Sequence, residues 1–156
     1  MAVPSAQPFN EVKVDPRTKA RQLTMQALCQ LDVQGEGLFP ELDDFFREYA
    51  PDDTVRKLAM EWTRGTWSNL PACDEPISSA AIKWKLSRIA MVDKSILRLA
   101  VYQLKFCPDI PPKVAINEAI ELAKTFGSDK SPSFVNGVLD GVLKKLQSDK
   151  QVEVKQ

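Results

Sequence analysis

The stretch DKSILRLAVYQLKF, residues 93–106, decides the fold. Its apolar residues cover most of the circumference of a helix and leave Lys94, Arg98 and Lys105 as a narrow polar strip. A helix that is apolar on nearly every side is typical of the interior of a domain. We therefore expect this helix to be buried nearly all round.

Helix signals continue on the C-terminal side of this stretch. A proline-rich turn at residues 108–112 is followed by apolar residues at helical spacing, which predict another helix closed by Gly127, the sixth in chain order. Ser131 and Pro132 are typical of the N-cap and the first turn of a last helix. Residues 148–156 predict a polar tail after it.

The N-terminal side carries four more predicted helices. The first begins at Asp15 and Pro16 and ends near Gly35, because a capping aspartate and a proline start a helix and a glycine closes it. The others are expected over residues 40–49, from Asp52 or Asp53 to Pro71, and from about Pro76 to Leu86. The predicted organisation is a flexible arm over residues 1–15 and one compact, all-α domain of seven helices over residues 16–147.

Composition argues against several classes of protein. The 156 residues include no histidine, so imidazole base catalysis and the commonest nitrogen ligand of metals are missing. Cys29, Cys73 and Cys107 lie far apart in the sequence, as expected of thiols in a reducing compartment rather than of a zinc site. No apolar run approaches the roughly 18 residues of a membrane span. We expect a cytoplasmic protein with no catalytic site, no metal and no cofactor.

The charges are separated along the chain although they balance in total. Lysine and arginine number 21, as do aspartate and glutamate, so the whole molecule exerts no long-range attraction on nucleic acid. Residues 32–53 contain eight acidic residues and one basic residue, whereas residues 1–31 are basic on balance. Any contact with a polyanion must therefore be local, and the alternative is that these charges belong to ordinary solvated helix faces.

Three segments carry a resemblance to a known family. They are VDKSILRLAVYQL at 92–104, DIPPKVAINEAIELAK at 109–124 and FVNGVLD at 134–140. With the start of the first helix, they make the chain resemble the bacterial transcription antitermination factor NusB family over roughly residues 17–145. The resemblance implies a non-catalytic domain that binds single-stranded boxA RNA of nascent transcripts together with NusE, a ribosomal small-subunit protein. The complex would help RNA polymerase to transcribe ribosomal RNA operons.

The resemblance also implies an RNA surface. The basic N-terminal segment of the family, which would supply phosphate contacts, corresponds here to Arg17, Lys19 and Arg21. Helical spacing places Arg17 and Arg21 on the same side of the first helix. The loop and first turn of the last helix correspond to Lys130, Ser131, Ser133 and Phe134, and Lys130 with the free helix amides would hold a phosphate there. Phe134 either stacks on an unpaired base or belongs to the core.

The partner surface implied by the family lies on the middle helices. The candidates for contact with NusE are Trp84, Lys85, Arg88 and Asp93. Members of the family often carry an RNA-contacting tyrosine where this chain has Cys29, and the N-terminal arm holds fewer arginines than in the best-known members. We therefore expect weak RNA binding by the chain alone and tighter binding with NusE.

Two other functions remain open at this stage. A domain of this kind also occurs at the N-terminus of some RNA cytosine methyltransferases, but their catalytic domain needs a few hundred further residues. A helical adaptor that binds protein alone is the second alternative. Self-association into a homodimer is a further possibility that the sequence does not decide.

Overall fold

The computed structural model describes residues 14–50 and 52–155, with side chains up to Gln151. This part of the chain forms seven α-helices and contains no β-strand, which confirms the predicted all-α, seven-helix architecture. The helices are α1 (Pro16–Gln34), α2 (Phe39–Tyr49), α3 (Asp53–Ser68), α4 (Leu70–Ala80), α5 (Met91–Phe106), α6 (Pro112–Phe126) and α7 (Ser131–Lys155), with 3₁₀ turns at Glu36–Leu38 and Leu86–Arg88. The predicted arm over residues 1–15 lies almost wholly outside the described residues.

Helix α5 lies at the centre of the bundle, as its apolar circumference predicts. Residues 95–101 are all buried, and the helix packs against α1, α3, α4, α6 and α7. Removing apolar surface from water contributes about 25 cal/mol per Å² to folding, so a helix covered on every side is a major source of stability. The helix emerges from the core at its C-terminal end, where Lys105 and Phe106 are exposed.

Local signals set the ends of several helices. The side chain of Asp15 accepts a hydrogen bond from the backbone N–H of Arg17 at 2.8 Å, and Asp52 accepts one from Thr54 at 2.8 Å. Each aspartate satisfies an amide that has no partner within the helix. Gly35 ends α1 with φ at 80°, a conformation that favours glycine.

Helix α4 corrects the sequence analysis. The predicted range from Pro76 to Leu86 is wrong, because α4 covers Leu70–Ala80 and Pro76 lies inside it. A proline has no N–H to donate to the carbonyl four residues earlier, here that of Ala72. The Nζ atom of Lys105 on α5 donates to this same Ala72 oxygen at 3.1 Å. A contact distant in sequence therefore offsets the hydrogen bond that Pro76 removes.

Helix α7 continues through the segment predicted to be a polar tail. It ends at Lys155, and residues 148–151 are exposed. No glycine or proline follows Gly141, so nothing in the sequence interrupts the helix. Polarity marks where α7 leaves the core, not where the helix ends. No helix in the described part of the chain has both the length and the apolar character that a membrane crossing requires.

A cluster of ion pairs joins three helices, and we call it the charged seam: Asp32, Asp74, Lys94 and Arg98. Arg98 of α5 donates to both carboxylate oxygens of Asp74 on α4 at 2.8 and 2.9 Å, and to Asp32 on α1 at 3.0 Å. Lys94 lies 2.9 Å from the second oxygen of Asp32. Burial raises the pKa of Asp32, but hydrogen bonds from Lys94 and Arg98 outweigh it and the net pKa is lowered. The seam thus holds paired charges between packed helices.

Candidate nucleic-acid interface

Three of the predicted phosphate contacts lie at the surface. Arg17 and Lys130 are exposed, and Lys19 is half-buried. Among the residues that the structure describes, none of these three side chains forms an ion pair. We call Arg17, Lys19 and Lys130 the exposed cations; for the half-buried Lys19 the name refers to the part of its side chain that remains at the surface. A cation without a carboxylate partner can exchange its bound counterions for a phosphate.

Arg21, the remaining predicted cation, is 3% exposed. Its Nη1 atom lies 3.0 Å from Glu118, its Nε atom donates to Gln103 at 3.2 Å, and its guanidinium lies 5.0 Å from the ring centroid of Trp62. Burial lowers the pKa of Arg21, although Glu118 opposes the shift. The expected phosphate contact by Arg21 is corrected, because its charge is already paired inside the bundle. One turn of α1 therefore separates a surface cation, Arg17, from an interior one.

The turn before α7 explains the position of Ser131. This residue is 2% exposed, and its hydroxyl accepts a hydrogen bond from the backbone N–H of Ser128 at 2.9 Å. A Cβ atom on Gly127 would lie 2.5 Å from the Ser131 oxygen, so the turn requires glycine there. The expected RNA contact by the Ser131 side chain is corrected to a structural one. It closes the turn that carries Lys130.

A groove beside Trp84 brings the two predicted surfaces together. We call it the Trp84 groove; it is shallow and open to solvent, with a volume of about 350 Å³ between the segment after α4 and the first turns of α7. Its lining residues are Ala80, Ala81, Ile82, Lys83, Trp84, Ser133, Phe134, Gly137 and Val138. Ile82 is 87% exposed and Trp84 is 54% exposed, whereas Phe134 is half-buried against the core. Trp84, predicted to meet a protein, therefore lines the same groove as Ser133 and Phe134, predicted to meet RNA.

The other residues predicted to meet a partner divide into two groups. Lys85 and Arg88 are exposed in the segment between α4 and α5. Asp93 is 8% exposed and lies in the first turn of α5, where the helix dipole favours a carboxylate. The expected partner contact by Asp93 is corrected, because its side chain is enclosed within the fold.

A second groove lies between α1 and α2. Sequence analysis singles out two of its lining residues, Lys19 and Cys29, but does not predict the groove itself. We call it the α1–α2 groove; it is open to solvent and has a volume of about 510 Å³. Its lining residues are Lys19, Leu23, Met25, Gln26, Cys29, Gln30, Phe45, Tyr49, Val92 and Phe126. The sequence pattern assigns Tyr49 to the apolar face of α2, yet its side chain is 52% exposed. Its place as the last residue of α2 was the available signal, because α2 offers no following turn to cover it.

The three thiols are held in their protonated form. Burial raises the pKa of Cys29 and Cys107, and it raises the pKa of Cys73 to about 12. The thiolate is the form that attacks substrates and binds metals, so this environment disfavours both roles. The described residues contain no group of three or more histidines, cysteines or carboxylates placed to hold a metal ion.

The sequence is similar to proteins of one family. A sequence model described as the NusB family matches residues 18–144. A protein of Oleidesulfovibrio alaskensis named "Transcription antitermination protein NusB" is 51% identical over 139 residues, covering 85% of this chain and 90% of that protein. One with the same name from Anaeromyxobacter dehalogenans is 46% identical over 127 residues, covering 81% of this chain and 89% of the relative.

Solved structures show the same fold. The structure of NusB from T. maritima has a TM-score of 0.72 and 37% identity, and the match covers 85% of this chain and 93% of that one. A crystal structure of the antitermination factors NusB and NusE in complex with double-stranded RNA gives a TM-score of 0.73 over 83% of this chain and 97% of that one. Its identity is 24%, so this second likeness concerns the fold alone.

Proposed function

The chain belongs to the NusB family, and from that premise we propose that it is a transcription antitermination factor. In this proposal it binds single-stranded boxA RNA of nascent transcripts together with NusE, within the RNA polymerase antitermination complex that transcribes ribosomal RNA operons. A bacterial transcription factor acts in the cytoplasm, and we propose that location. The observation that carries the proposal is the similarity to named antitermination proteins along residues 18–144, a range that includes α2 to α6 and most of α1 and reaches into α7.

The exposed cations supply the proposed phosphate contacts. The net charge of the chain is zero, so its attraction to RNA must come from local groups whose charge is not already paired. Arg17, Lys19 and Lys130 meet that condition within the described residues. Arg21 and Ser131 act indirectly, since Arg21 ties α1 to α6 and Ser131 holds the turn that carries Lys130.

The Trp84 groove supplies the proposed contacts to a base and to the partner. The half-buried ring of Phe134 is anchored in the core and retains an accessible part, and a stacked base is worth about 1–3 kcal/mol. Ser133 is exposed beside it. Trp84, Lys85 and Arg88 form the proposed NusE contact. Tryptophan and arginine are enriched at protein interfaces, and Lys85 belongs to the same exposed segment.

We further infer that the chain acts without catalysis of its own. It has no histidine, and burial keeps its thiols protonated. Binding, rather than bond-making, is what its surface residues support.

Fluorescence anisotropy with labelled boxA RNA tests the proposal. The measurement compares the chain alone with the chain plus NusE, each at two salt concentrations. We expect weak binding alone and tighter binding with NusE, and affinity that falls with salt because phosphate contacts release counterions. A scrambled RNA of the same length is the control. Equal affinities with and without NusE would contradict cooperative binding, and no binding in either case would contradict the RNA function.

A further inference from the structure

The end of α4 approaches α7 closely at Gly141. A Cβ atom added to this glycine would lie 3.2 Å from the Cβ atom of Ala80, the last residue of α4. Two carbon atoms at optimal contact lie about 3.5–4.0 Å apart, so a methyl group at position 141 would press on Ala80. The missing side chain of Gly141 therefore allows the two helices to pack this closely.

Gly137, one turn earlier on α7, has no such contact. A Cβ atom added there would meet nothing within 4 Å among the residues that the structure describes. Glycine is less favourable than alanine inside a helix, so both glycines weaken α7 by their own propensity. Only Gly141 offsets this cost with a close helix contact, whereas Gly137 lines the Trp84 groove.

Two alanines join the end of α4 to the rest of the fold. Ile77 is the last large side chain of α4 that is fully buried. Beyond it, Ala81 is buried in the core and Ala80 lies against Gly141. Lys145 of α7 also contacts α4 through hydrogen bonds of 3.0 and 3.4 Å, but these are exposed and such contacts add little stability. The distance between the end of α4 and α7 is therefore set by the contact of Ala80 with Gly141.

This contact lies at one end of the Trp84 groove. One wall of the groove begins at Ala80 and continues to Trp84, and the other is the face of α7 that carries Phe134, Gly137 and Val138. Ala80 thus belongs both to the wall and to the close contact between the helices. A displacement of Ala80 away from α7 would change the separation of the two walls.

We propose that Gly141 is a positioning residue for the partner contact: by letting Ala80 approach α7, it sets the width of the Trp84 groove and thereby the affinity for NusE. The inference rests on the proposed function, in which Trp84 meets NusE. It deepens that function by naming a residue that acts on the partner surface from inside the fold. Close packing transmits the effect, because a tightly packed interior has no empty space to absorb an added methyl group.

Moving a methyl group from one helix to the other tests this role. Gly141→Ala adds a methyl group at the contact, whereas Ala80→Gly combined with Gly141→Ala transfers it from α4 to α7 and leaves the composition unchanged. Titration calorimetry measures the affinity for NusE, without RNA, of wild type and both variants. We expect Gly141→Ala to bind NusE about fivefold more weakly, an effect common for residues that act from outside a site. The double variant should bind like wild type.

Gly137→Ala is the matched control for helix propensity. It makes the same replacement one turn earlier on α7, where the added methyl group meets no described residue. Its urea midpoint should rise, because alanine favours the helix. The midpoint of Gly141→Ala should rise less, because part of this gain is lost at Ala80. Affinities are compared at a temperature where every variant is folded.

Two further measurements distinguish positioning from a general weakening of the fold. The salt slope of RNA binding should be the same for Gly141→Ala and wild type, because no charge is changed. In protein labelled with fluorotryptophan, the fluorine NMR signal of Trp84 should shift in Gly141→Ala and return in the double variant. The signals of Trp62 and Trp67 should stay in place, since both residues belong to α3.

The outcomes separate the positioning role from the function on which it rests. Wild-type affinity for NusE in Gly141→Ala would overturn the positioning role and leave the proposed function standing. A loss that persists in the double variant would also overturn it, because the contact with the Ala80 methyl group would then not be the cause. No binding of NusE by wild type would overturn the proposed partner contact, and the positioning role with it.

Discussion

The charged seam and the exposed cations both contain arginine and lysine. In the seam these side chains are paired with aspartates between helices, whereas the exposed cations lie at the surface without a carboxylate partner. Arg98 is 7% exposed and meets two aspartates, whereas Arg17 is exposed and meets no carboxylate in the described part of the chain. A buried charge must be paired, since removing it from water without a partner costs several kcal/mol. An exposed charge needs no partner and remains available to a ligand. The comparison separates cations that hold the bundle together from cations that can hold RNA.

The largest expected effect comes from breaking the seam with Arg98→Met. The substitution leaves Asp74 without its arginine and should lower the free energy of unfolding by about 3–5 kcal/mol. Urea denaturation measures this value. Arg47→Met is the matched control, because Arg47 forms an exposed pair with Asp43 that is worth about 0.2–1 kcal/mol. Equal urea midpoints for the two variants would contradict the expected difference in stability between the buried pair and the surface pair.

Arg21→Met is expected to have an intermediate effect on stability and none on the electrostatics of RNA binding. It leaves Gln103 without its donor and Glu118 without its cation, at a cost of about 2 kcal/mol. The slope of log affinity against log salt should match that of wild type, because the charge is paired in the interior. The free energy of unfolding comes from urea denaturation, and the salt slope comes from RNA binding at a temperature where the variant is folded. A reduced slope would place Arg21 among the phosphate contacts after all.

Arg17→Gln is expected to give the smallest change in stability. It should also reduce the salt dependence of RNA binding, which Arg21→Met leaves unchanged. The free energy of unfolding should shift by less than about 0.5 kcal/mol, because the side chain is exposed. The salt slope should fall by about 0.7, the value for one phosphate contact on a single strand. Lys57→Gln, an exposed lysine on α3, removes the same charge outside the proposed surface. An equal loss of slope in both variants would argue against a localised contact.

The sequence predicted the fold well where the deciding interactions are between residues close together in the chain. The apolar circumference of α5 predicted its central place. The predicted capping by Asp15 is confirmed, and of the two alternatives for α3, Asp52 and Asp53, the structure uses Asp52; each cap bonds an amide only two residues further on, so its signal is local. The range of α4 failed because Pro76 is tolerated inside the helix through Lys105, which comes from another helix. No local pattern contains that contact.

The candidate site shows the same limit. Helical spacing correctly places Arg17 and Arg21 near one side of α1, but whether each cation is buried depends on α6, which supplies Glu118. Ser131 has the sequence of a cap, whereas the structure uses its hydroxyl to close a turn. Tyr49 lines a groove between α1 and α2, and the shape of that groove depends on how the two helices pack, which the sequence of α2 alone does not predict.

The Trp84 groove has a thermodynamic consequence, since Trp84 and Phe134 line one space. In the proposed arrangement, a protein bound at Trp84 changes the walls that a base meets at Phe134, so the two equilibria are linked. Linkage is reciprocal: whatever factor NusE adds to the affinity for RNA, RNA adds to the affinity for NusE. A transcript that displays its boxA would thus recruit the ribosomal protein as effectively as that protein recruits the transcript.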